Sequence, residues 1–344
     1  MAEPLKIVIP MAGWGTRMRP HTYSKPKPLV SVAGKSTLEH LLDMFASVPN
    51  PLQAEYIFIV GPYLGEQQIP AFVKEKYPHM NAHFVTQREM KGQSHALALA
   101  RDFLHGPMIV CFSDTLIEAD FSHLADERAD SVAWVMAVPD PRRFGVAELA
   151  PDGWVTRFIE KPQSLENNLV VVGCYYFQRG EALLAAIDEQ IRRGVTLKNE
   201  YFLTDAISIL IEQGARVRTE SVHTWLDTGT IEATLDTNKT LLERGNANKR
   251  INETNESVEM IAPSFVHPSA EIRNSVIGPY ASIGADCKIE DSHIEDSIIE
   301  TGCEIKAVRL TRSLIGRRAK VRGRGEGQKM SLNIGDDSSS IIFQ

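Results

Sequence analysis

A glycine-rich loop after a short apolar run is the first part of this 344-residue sequence that could do chemistry. Residues 11–20 read MAGWGTRMRP and follow the run LKIVIP. Glycines allow backbone N–H groups to approach an anion, and Arg17 adds a fixed cation. Prolines restrict the downstream segment KPKP, so we expect Lys25 and Lys27 near the same loop. The combination predicts a polyphosphate site, while a structural turn with solvated charges remains the alternative for the loop alone.

Two common nucleotide-binding motifs do not fit the spacing of these glycines. A G-x-G-x-x-G fingerprint that starts at Gly13 would need glycine where the sequence has Met18. The segment Gly34-Lys35-Ser36 looks like the end of a Walker A loop, but the first glycine of that motif would fall on Leu29. We therefore expect neither a dinucleotide fingerprint nor a P-loop.

Two aspartates stand at positions that suit metal ligands. Asp114 follows the hydrophobic run MIVCF, and Asp227 lies in WLDTGT, just before a predicted helix. Each alone would more often be a helix cap or turn residue. Together they favour Mg²⁺ over Zn²⁺, because Mg²⁺ prefers few carboxylates plus substrate phosphates, whereas zinc needs a Cys/His cluster. The histidines lack any partner spacing and are expected in packing or surface roles (His21, His40, His95 and His293).

An alternation of strands and helices must position these residues. Helix-like stretches separate the first four of five β-branched apolar runs, which are Leu5–Pro10, Tyr56–Val60, His83–Thr86, Met108–Phe112 and Val132–Val138. The pattern predicts a Rossmann-like, mostly parallel α/β sheet with ligands at the carboxyl ends of its strands. It continues less regularly through a strand at Val170–Phe177 and helices at Ala182–Ile191 and Thr230–Glu243.

The pattern changes after residue 248. Aliphatic residues recur every five or six positions, at Val266, Ile272, Ile277, Ile283, Ile289, Ile294, Ile299, Ile305, Leu310, Ile315 and Val321. A hexapeptide period is typical of a left-handed parallel β-helix, in which one aliphatic side chain per flat side points inward. We therefore predict a domain of residues 1–250 and a β-helix domain of residues 251–344; an irregular β-sandwich is the alternative for the second.

The composition narrows the function classes. With 43% hydrophobic and 24% charged residues the chain is of the globular type, and its net charge of −7 argues against a general nucleic-acid binder. No apolar run reaches membrane-spanning length, and the N-terminus lacks a signal-peptide pattern. Four dispersed cysteines without a C-x-x-C motif predict reduced thiols and a cytoplasmic location.

Seven motifs in order resemble those of sugar-1-phosphate nucleotidylyltransferases. They are A-G-x-G-T-R, K-P-K-P-L-V, the aspartate after the strand, F-G-V-A-E-L, E-K-P, N-E-Y-F-L-T-D-A and W-L-D-T-G-T, and they span residues 5–245. The tail resembles that of long-form glucose-1-phosphate thymidylyltransferases and of ADP-glucose pyrophosphorylases. The resemblance implies transfer of a nucleotidyl group from a nucleoside triphosphate to a sugar 1-phosphate, with release of pyrophosphate.

The resemblance also implies roles for individual residues. Nucleotide binding is assigned to Ala12, Gly13, Gly15, Thr16, Arg17, Gln87 and Gly92, of which Gln87 and Gly92 read a pyrimidine base. Mg²⁺ is assigned to Asp114 and Asp227. Lys27 matches the lysine in the second half of the family's signature sequence and is called the signature lysine below. The sugar-phosphate pocket is assigned to Gly145, Glu160, Lys161, Val171 and Lys198. Arg17, Lys27, Asp114 and Lys161 are the residues expected to contribute most to catalysis.

Three departures from the thymidylyl pattern concern the substrate and the loop. The glycine loop is one residue shorter than A-G-G-x-G-T-R, as in uridylyltransferases, which leaves dTTP and UTP both open. Ser113 stands where glycine usually precedes the metal aspartate, and Ser31 replaces a common proline. Mannose-1-phosphate guanylyltransferase and glucose-1-phosphate adenylyltransferase are the alternatives within the family.

Two other classes of protein remain possible besides a nucleotidylyltransferase. The β-helix could belong to an acyltransferase, with only His267 and His293 as bases, or the chain could be an inactive regulatory subunit. The intact set of charged motif residues argues against the second. We expect the tail to form a homo-oligomer, because flat β-helix faces and an unfinished end favour cover by a second copy, and we expect the chemistry to reside in residues 5–245.

Overall fold

The computed structural model describes residues 3–248, 257–324 and 327–342. Its contacts divide the chain into two compact units. The first unit comprises Met1–Gly13 and Leu41–Trp225, and the second comprises Trp14–His40 and Leu226–Gln344. The predicted boundary between residues 250 and 251 lies outside the described residues and stays a prediction.

Thirteen strands precede the tail within the described residues. In chain order they are β1 (Lys6–Met11), β2 (Ser31–Val32), β3 (Lys35–Ser36), β4 (Glu55–Val60), β5 (Asn81–Thr86), β6 (Met108–Cys111), β7 (Thr115–Ile117), β8 (Ser131–Ala137), β9 (Gly145–Leu149), β10 (Val155–Glu160), β11 (Leu169–Phe177), β12 (Val217–Ser221) and β13 (Trp225–Asp227). The helices are α1 (Thr37–Asp43), α2 (Leu64–Lys76), α3 (Gln93–Leu99), α4 (Gly180–Arg193), α5 (Leu203–Glu212) and α6 (Ile231–Leu241). No helix within these ranges combines the length and apolarity that a membrane crossing requires.

The first unit is built on a nine-stranded mixed sheet. Its order is β10-β9-β11-β6-β1-β4-β5, and β8 pairs with both β11 and β12. The strands β6, β1, β4 and β5 run parallel, as the alternation predicted, because helical connections separate them. β11 runs antiparallel to β6 and β8, and β9 and β10 form an antiparallel pair. The α/β class is therefore confirmed, with a second half that departs from the purely parallel arrangement.

Buried side chains on the sheet pack against α3, α4 and α5 in one core. Val8, Ile57 and Val110 come from three neighbouring parallel strands and have no exposed surface. Leu183 on α4 and Ile207 on α5 are equally buried. Burial of each such side chain stabilises the fold by about 2 kcal/mol, so this core fixes the strand ends from which the site residues emerge.

A capping box forms at the start of α1. The Glu39 carboxylate accepts from the backbone N–H of Ser36 over 2.8 Å, and the Ser36 hydroxyl accepts from the N–H of Glu39 over 3.2 Å. The apolar side of the helix, including Leu38 and Leu41, is fully buried.

The tail consists of three stacks of short parallel strands, consistent with the predicted left-handed β-helix. In stack order they are Val258–Met260, Ser275–Ile277, His293–Ile294 and Arg309–Leu310; Phe265–Val266, Ser282–Ile283, Ile298–Ile299, Leu314–Ile315 and Asn333–Ile334; and Glu271–Arg273, Lys288–Glu290, Glu304–Lys306, Lys320–Arg322 and Ser339–Ile341. The phased aliphatics point inward and are buried, except Val266 and Ile272, which pack partly buried against the same core. The hexapeptide prediction is confirmed.

Candidate active site

The glycine loop is shaped by a left-handed backbone at Gly15. Its φ is 60°, and a Cβ there would lie 2.9 Å from Cγ2 of Thr22 and 3.2 Å from Cβ of Lys27. The Thr22 hydroxyl donates to the Gly15 carbonyl over 2.9 Å. Immediately after Gly15 a 3-10 turn, Thr16–Met18, carries Arg17. The close packing around Gly15 therefore links the loop to the signature lysine.

Arg17 and Asp227 approach the same glycine, although 210 positions separate them in the chain. A Cβ at Gly229 would lie 3.2 Å from Nη2 of Arg17 and 2.7 Å from Oδ1 of Asp227. The Asp227 carboxylate accepts from the N–H of Gly229 over 2.6 Å, and its carbonyl accepts from the hydroxyl of Thr237 on α6 over 2.8 Å. The guanidinium of Arg17 and the carboxylate of Asp227 therefore lie close to each other beside Gly229.

Asp114 lies in the turn that follows β6. The backbone N–H of Thr115 donates to the carbonyl of Phe112 over 3.1 Å, which closes this turn. The Thr115 hydroxyl donates to the carbonyl of Val172 on β11 over 2.7 Å. Asp114 therefore stands at the carboxyl end of a parallel strand, which is where ligands bind in open α/β sheets.

Gln87 and Gly92, the predicted base-reading pair, are joined through the side-chain amide of Gln87. Nε2 of Gln87 donates to the Gly92 carbonyl over 3.2 Å and lies 3.1 Å from Nδ1 of His95. Gly92 has a φ of 94°, and a Cβ there would lie 2.5 Å from the carbonyl oxygen of Tyr201, so a side chain is excluded. Gln87 is buried, and its backbone N–H donates to the carbonyl of Val60 at the end of β4.

His95 contacts the side-chain amide of Gln87, a hydrogen bond that the packing or surface role expected from the sequence did not include. Burial first, and then the positive charge of Lys91, lower the pKa of His95 from its ordinary value of 6.5, against the opposing charge of Glu89. The neutral imidazole can accept at Nδ1, which a protonated ring cannot do. The sequence did not indicate this contact, because residues 87 and 95 lie on a strand end and a helix whose separation no local pattern fixes.

Three of the predicted sugar-phosphate residues meet around Gly145 at the start of β9. A Cβ at this glycine would lie 3.1 Å from Oε2 of Glu160 and 3.1 Å from Cγ2 of Val171. The Thr204 hydroxyl donates to Oε2 of Glu160 over 2.9 Å. Thr204 belongs to the N-E-Y-F-L-T-D-A motif. The family resemblance assigned no role to this threonine.

Lys161 is held beside this group. Its Nζ lies 3.4 Å from Oε1 of Glu160 and 4.0 Å from the centre of the Phe202 ring. Its backbone adopts the left-handed region with a φ of 49°. Lys198, also assigned to the sugar phosphate, lies exposed in the turn between Leu197 and Glu200, whose backbones exchange two hydrogen bonds. The role of Lys198 stays a prediction.

A second carboxylate lies near Glu160. Burial first, and then the charge of Glu160, raise the pKa of Asp205 to about 6. Asp205 follows Thr204 in the first turn of α5, where the positive end of a helix favours an acidic side chain. The carboxylates of Glu160 and Asp205 make this side of the predicted sugar-phosphate pocket acidic, and Lys161 is the neighbouring cation.

The expectation that Lys25 faces the phosphate loop is wrong. Lys25 is completely buried, and its ammonium group contacts the carboxylates of Glu300 and Asp336. Ligand atoms of His21, Glu300 and Asp336 lie within 4.8 Å of one another, a spacing that a metal ion could also use. Because the Lys25 ammonium already pairs with both carboxylates, the cation at this cluster is the lysine.

Comparison with known proteins places these features in one family. The profile of the family described as nucleotidyl transferase matches residues 6–244. A glucose-1-phosphate thymidylyltransferase from Streptomyces griseus is 30% identical, over 98% of this chain and 99% of the relative. A UTP–glucose-1-phosphate uridylyltransferase from Haloferax volcanii is 31% identical, over 65% of this chain and 91% of the relative.

Solved structures show the same fold. A putative glucose-1-phosphate thymidylyltransferase from Bacillus anthracis, in complex with sucrose, has a TM-score of 0.58 at 20% identity, over 69% of this chain and 94% of the other. A UDP-glucose pyrophosphorylase complexed with UDP-glucose has a TM-score of 0.58 at 18% identity, over 70% of this chain and 99% of the other.

Proposed function

Since this chain belongs to the nucleotidyl transferase family, we propose that it joins a pyrimidine nucleoside triphosphate to a sugar 1-phosphate, releasing pyrophosphate and forming an NDP-sugar. The observation that carries this function is the convergence of Arg17 and Asp227 on Gly229. A polyphosphate needs a fixed cation, and nucleotidyl transfer needs a carboxylate that can hold a divalent ion beside it. An inactive regulatory subunit or an acyltransferase has no use for that pair.

The chemistry requires no covalent intermediate on the protein. A phosphate oxygen of the sugar 1-phosphate forms a bond to the α-phosphorus, and the bond from that phosphorus to the pyrophosphate oxygen breaks. Arg17, Lys27 and the loop amides from Ala12, Gly13, Gly15 and Thr16 neutralise charge on the departing pyrophosphate. Lys161 and Lys198 hold the incoming phosphate against the repulsion between the two anions.

Glu160 serves as an acceptor for sugar hydroxyls beside Gly145 and Val171. The Thr204 hydroxyl occupies one lone pair of Oε2, which fixes the orientation of the carboxylate. A sugar that lacks a hydroxyl at the matching position would leave a lone pair of this half-buried carboxylate without a donor, and that loss disfavours the wrong stereochemistry. We propose glucose 1-phosphate as the substrate, since the thymidylyl and uridylyl relatives are both named for it.

A divalent metal ion is generally used by enzymes of this family. We propose Mg²⁺ with Asp114 and Asp227 as its protein ligands. The donor set fits, because both groups are carboxylates, and Asp227 is oriented by the N–H of Gly229. When bound, the ion would neutralise charge on the α-phosphate and orient it for in-line attack.

The hydrogen bonds of Gln87 support a pyrimidine with a protonated N3. Both protons of its Nε2 are used within the protein, by the Gly92 carbonyl and by Nδ1 of His95. The amide therefore offers a base only its acceptor oxygen. Uracil and thymine carry an N3–H that can donate to it, whereas N3 of cytosine is an acceptor. We therefore propose UTP or dTTP as the nucleotide.

We further propose that the β-helix forms a homo-oligomer. Its third stack exposes a charged face on which the sign alternates from coil to coil, through Glu271, Lys288, Glu304 and Lys320. A second copy related by a two-fold axis along the strands would place Glu271 opposite Lys320 and Lys288 opposite Glu304, a complementary arrangement. Light scattering tests this: reversing Lys288 and Lys320 to Glu should lower the mass, and an unchanged oligomer would overturn the assignment to this face.

A cytoplasmic location is part of the same proposal. All four cysteines are free and buried, which suits a reducing compartment (Cys111, Cys174, Cys287 and Cys303).

The function is tested by a substrate panel with pyrophosphate release as the signal. UTP, dTTP, ATP and GTP are each offered with the 1-phosphates of glucose, galactose, mannose and N-acetylglucosamine. We expect release with UTP or dTTP, fastest with glucose 1-phosphate. A preference for GTP or ATP would overturn the proposed base and point to a guanylyl or adenylyl enzyme. Absence of release with every pair would overturn the function.

A further inference from the structure

The segment that carries Arg17 and Lys27 is held by the β-helix. Residues 14–40 fall in one compact unit with the tail. Lys25 lies within this segment and is completely buried, and its ammonium group pairs with the carboxylate of Glu300, which is also buried. A second carboxylate, that of Asp336, lies 3.0 Å from the same nitrogen. Glu300 and Asp336 belong to different coils, so the lysine is clamped between them.

Further polar contacts fix the segment on both sides of Lys25. The backbone N–H of Ser31 donates to Oε1 of Glu300 over 3.0 Å, and the Ser24 hydroxyl donates to Oδ2 of Asp336 over 2.6 Å. Burial opposes ionisation of Asp336, but the Ser24 hydroxyl and the Lys25 charge lower its pKa. Its carboxylate is therefore charged and matches the lysine.

Two more contacts lie farther from Lys25, one before it in the segment and one after it. Nε2 of His21 is 2.5 Å from Oδ1 of Asn333, and Nη2 of Arg317 donates to the carbonyl of Leu29 over 3.1 Å. Apolar packing adds to them, because Met18 and Val30 share a buried cluster with three residues beyond position 230 (Leu235, Ile298 and Leu314). Contacts with the tail thus occur along the segment from Met18 to Ser31.

Lys25 is coupled to the phosphate-binding side chains through a short and rigid path. Pro26 has a φ of −61° and leads into the 3-10 turn Lys27–Leu29, so the backbone between the two lysines has little freedom. Lys27 packs against Gly15, whose carbonyl is held by Thr22. A displacement of Lys25 would therefore move Lys27 and the turn that carries Arg17.

We propose that Lys25 and Glu300 are positioning residues, through which the β-helix holds Lys27 and Arg17 in the conformation that binds the nucleotide phosphates. This proposal rests on the proposed function for its kinetic consequence, and on the contacts above for its structural one. It assigns the tail a part in catalysis, in contrast to the expectation that chemistry depends on residues 5–245 alone.

The experiment uses the full-length protein and single neutralising variants. Glu300→Gln leaves Lys25 with one carboxylate instead of two, and Lys25→Met leaves the carboxylates of Glu300 and Asp336 without their cation. The triple variant K25M/E300Q/D336N removes all three charges. Asp291→Asn is the matched control, because this carboxylate also belongs to the β-helix but is exposed and accepts from the side-chain amide of Asn274 over 2.6 Å. Asp336→Asn is the milder variant to be used should either single variant fail to fold.

Steady-state kinetics at a temperature well below unfolding give the first readout. We expect each single variant to raise the KM for the nucleotide at least about tenfold, with the KM for the sugar phosphate within about twofold of wild type. The triple variant should recover most of the nucleotide affinity, and Asp291→Asn should match wild type. Folded single variants with unchanged nucleotide KM, or equal losses for both substrates, would overturn the proposal.

Hydrogen exchange of the peptide that covers residues 19–31 gives a readout independent of turnover. Exchange should be faster in Glu300→Gln than in wild type and unchanged in Asp291→Asn. Equal protection in Glu300→Gln and wild type would overturn the proposal. If the wild-type protein shows no nucleotidyl transfer with any substrate pair, the proposed function fails, while the exchange result still decides the role of the clamp.

Discussion

Nε2 of Gln87 lies 3.1 Å from Nδ1 of His95 and donates a hydrogen bond to it. This contact decides which way the Gln87 amide faces, because the second proton of Nε2 is already given to the Gly92 carbonyl. A bound base can then only donate to the amide oxygen. The proposed recognition of the base by Gln87 thereby depends on a histidine.

Replacing His95 by Phe removes the acceptor at Nδ1 while keeping a ring of similar size. We expect kcat/KM for UTP or dTTP to fall about tenfold, roughly the loss of one hydrogen bond to a buried amide, and discrimination against CTP to narrow. Competition assays with mixed UTP, dTTP and CTP measure both effects. The control is His79→Phe, which alters an exposed histidine. An unchanged ratio of UTP to CTP use would show that His95 does not influence the choice of base.

Protonation of His95 should have a similar effect to its replacement. Its pKa is lowered from 6.5, so the accepting, neutral form predominates at neutral pH and is lost as the pH falls through the lowered pKa. The kcat/KM for the preferred nucleotide should therefore fall on the acid side, below pH 6.5, and this limb should disappear in His95→Phe. A pH–rate profile of both proteins checks the prediction. The same acid limb in both would assign it to another group.

Asp114→Asn should abolish most turnover and leave the fold intact, because a neutral amide binds Mg²⁺ poorly. The expected loss exceeds about a hundredfold in kcat, and chelation of divalent ions should abolish wild-type activity in the same assay. Asp102→Asn, an exposed carboxylate outside the motifs, is the control. Activity of Asp114→Asn within about tenfold of wild type, roughly 1.4 kcal/mol, would refute the metal assignment.

Asp205→Asn should stabilise the protein at alkaline pH. The folded-state pKa is about 6, above the ordinary 3.8, so the favourable contribution of Asp205 is present below the ordinary value and is lost as the pH rises through 6. After allowance for its partial exposure, the gain in the free energy of unfolding is about 1 kcal/mol at pH 8 and smaller at pH 5. Urea denaturation at both values measures it, with exposed Asp152→Asn as the control. A lower free energy of unfolding for Asp205→Asn at pH 8 would contradict the prediction, because it would show that the charged carboxylate stabilises the folded protein.

Local patterns in the sequence were sufficient for most of the fold. The strand runs and the hexapeptide period each depend on neighbours a few residues apart, and the strands and the inward aliphatics lie where these periods predicted. The antiparallel β11 was not predicted as such, because strand direction depends on pairing partners distant in the chain.

The candidate site was predicted only as far as its motifs reach. Gly145, Glu160 and Val171 do come together. The supporting contacts of His95 and Thr204 were missed, since their partners lie 8 and 44 positions away without a shared period. The burial of Lys25 was missed for the same reason: its partner Glu300 is 275 positions away, and a lysine beside a phosphate motif offers no local sign of it.

In the proposed reaction an oxygen of the sugar phosphate attacks the α-phosphorus of the nucleotide. Glucose 1-phosphate labelled with ¹⁸O at its three nonbridging phosphate oxygens, incubated with UTP or dTTP and Mg²⁺, tests it directly by mass spectrometry of both products. The NDP-glucose should retain all three labels, and the pyrophosphate should carry none. Label in the pyrophosphate, or unlabelled NDP-glucose, would contradict the proposed reaction.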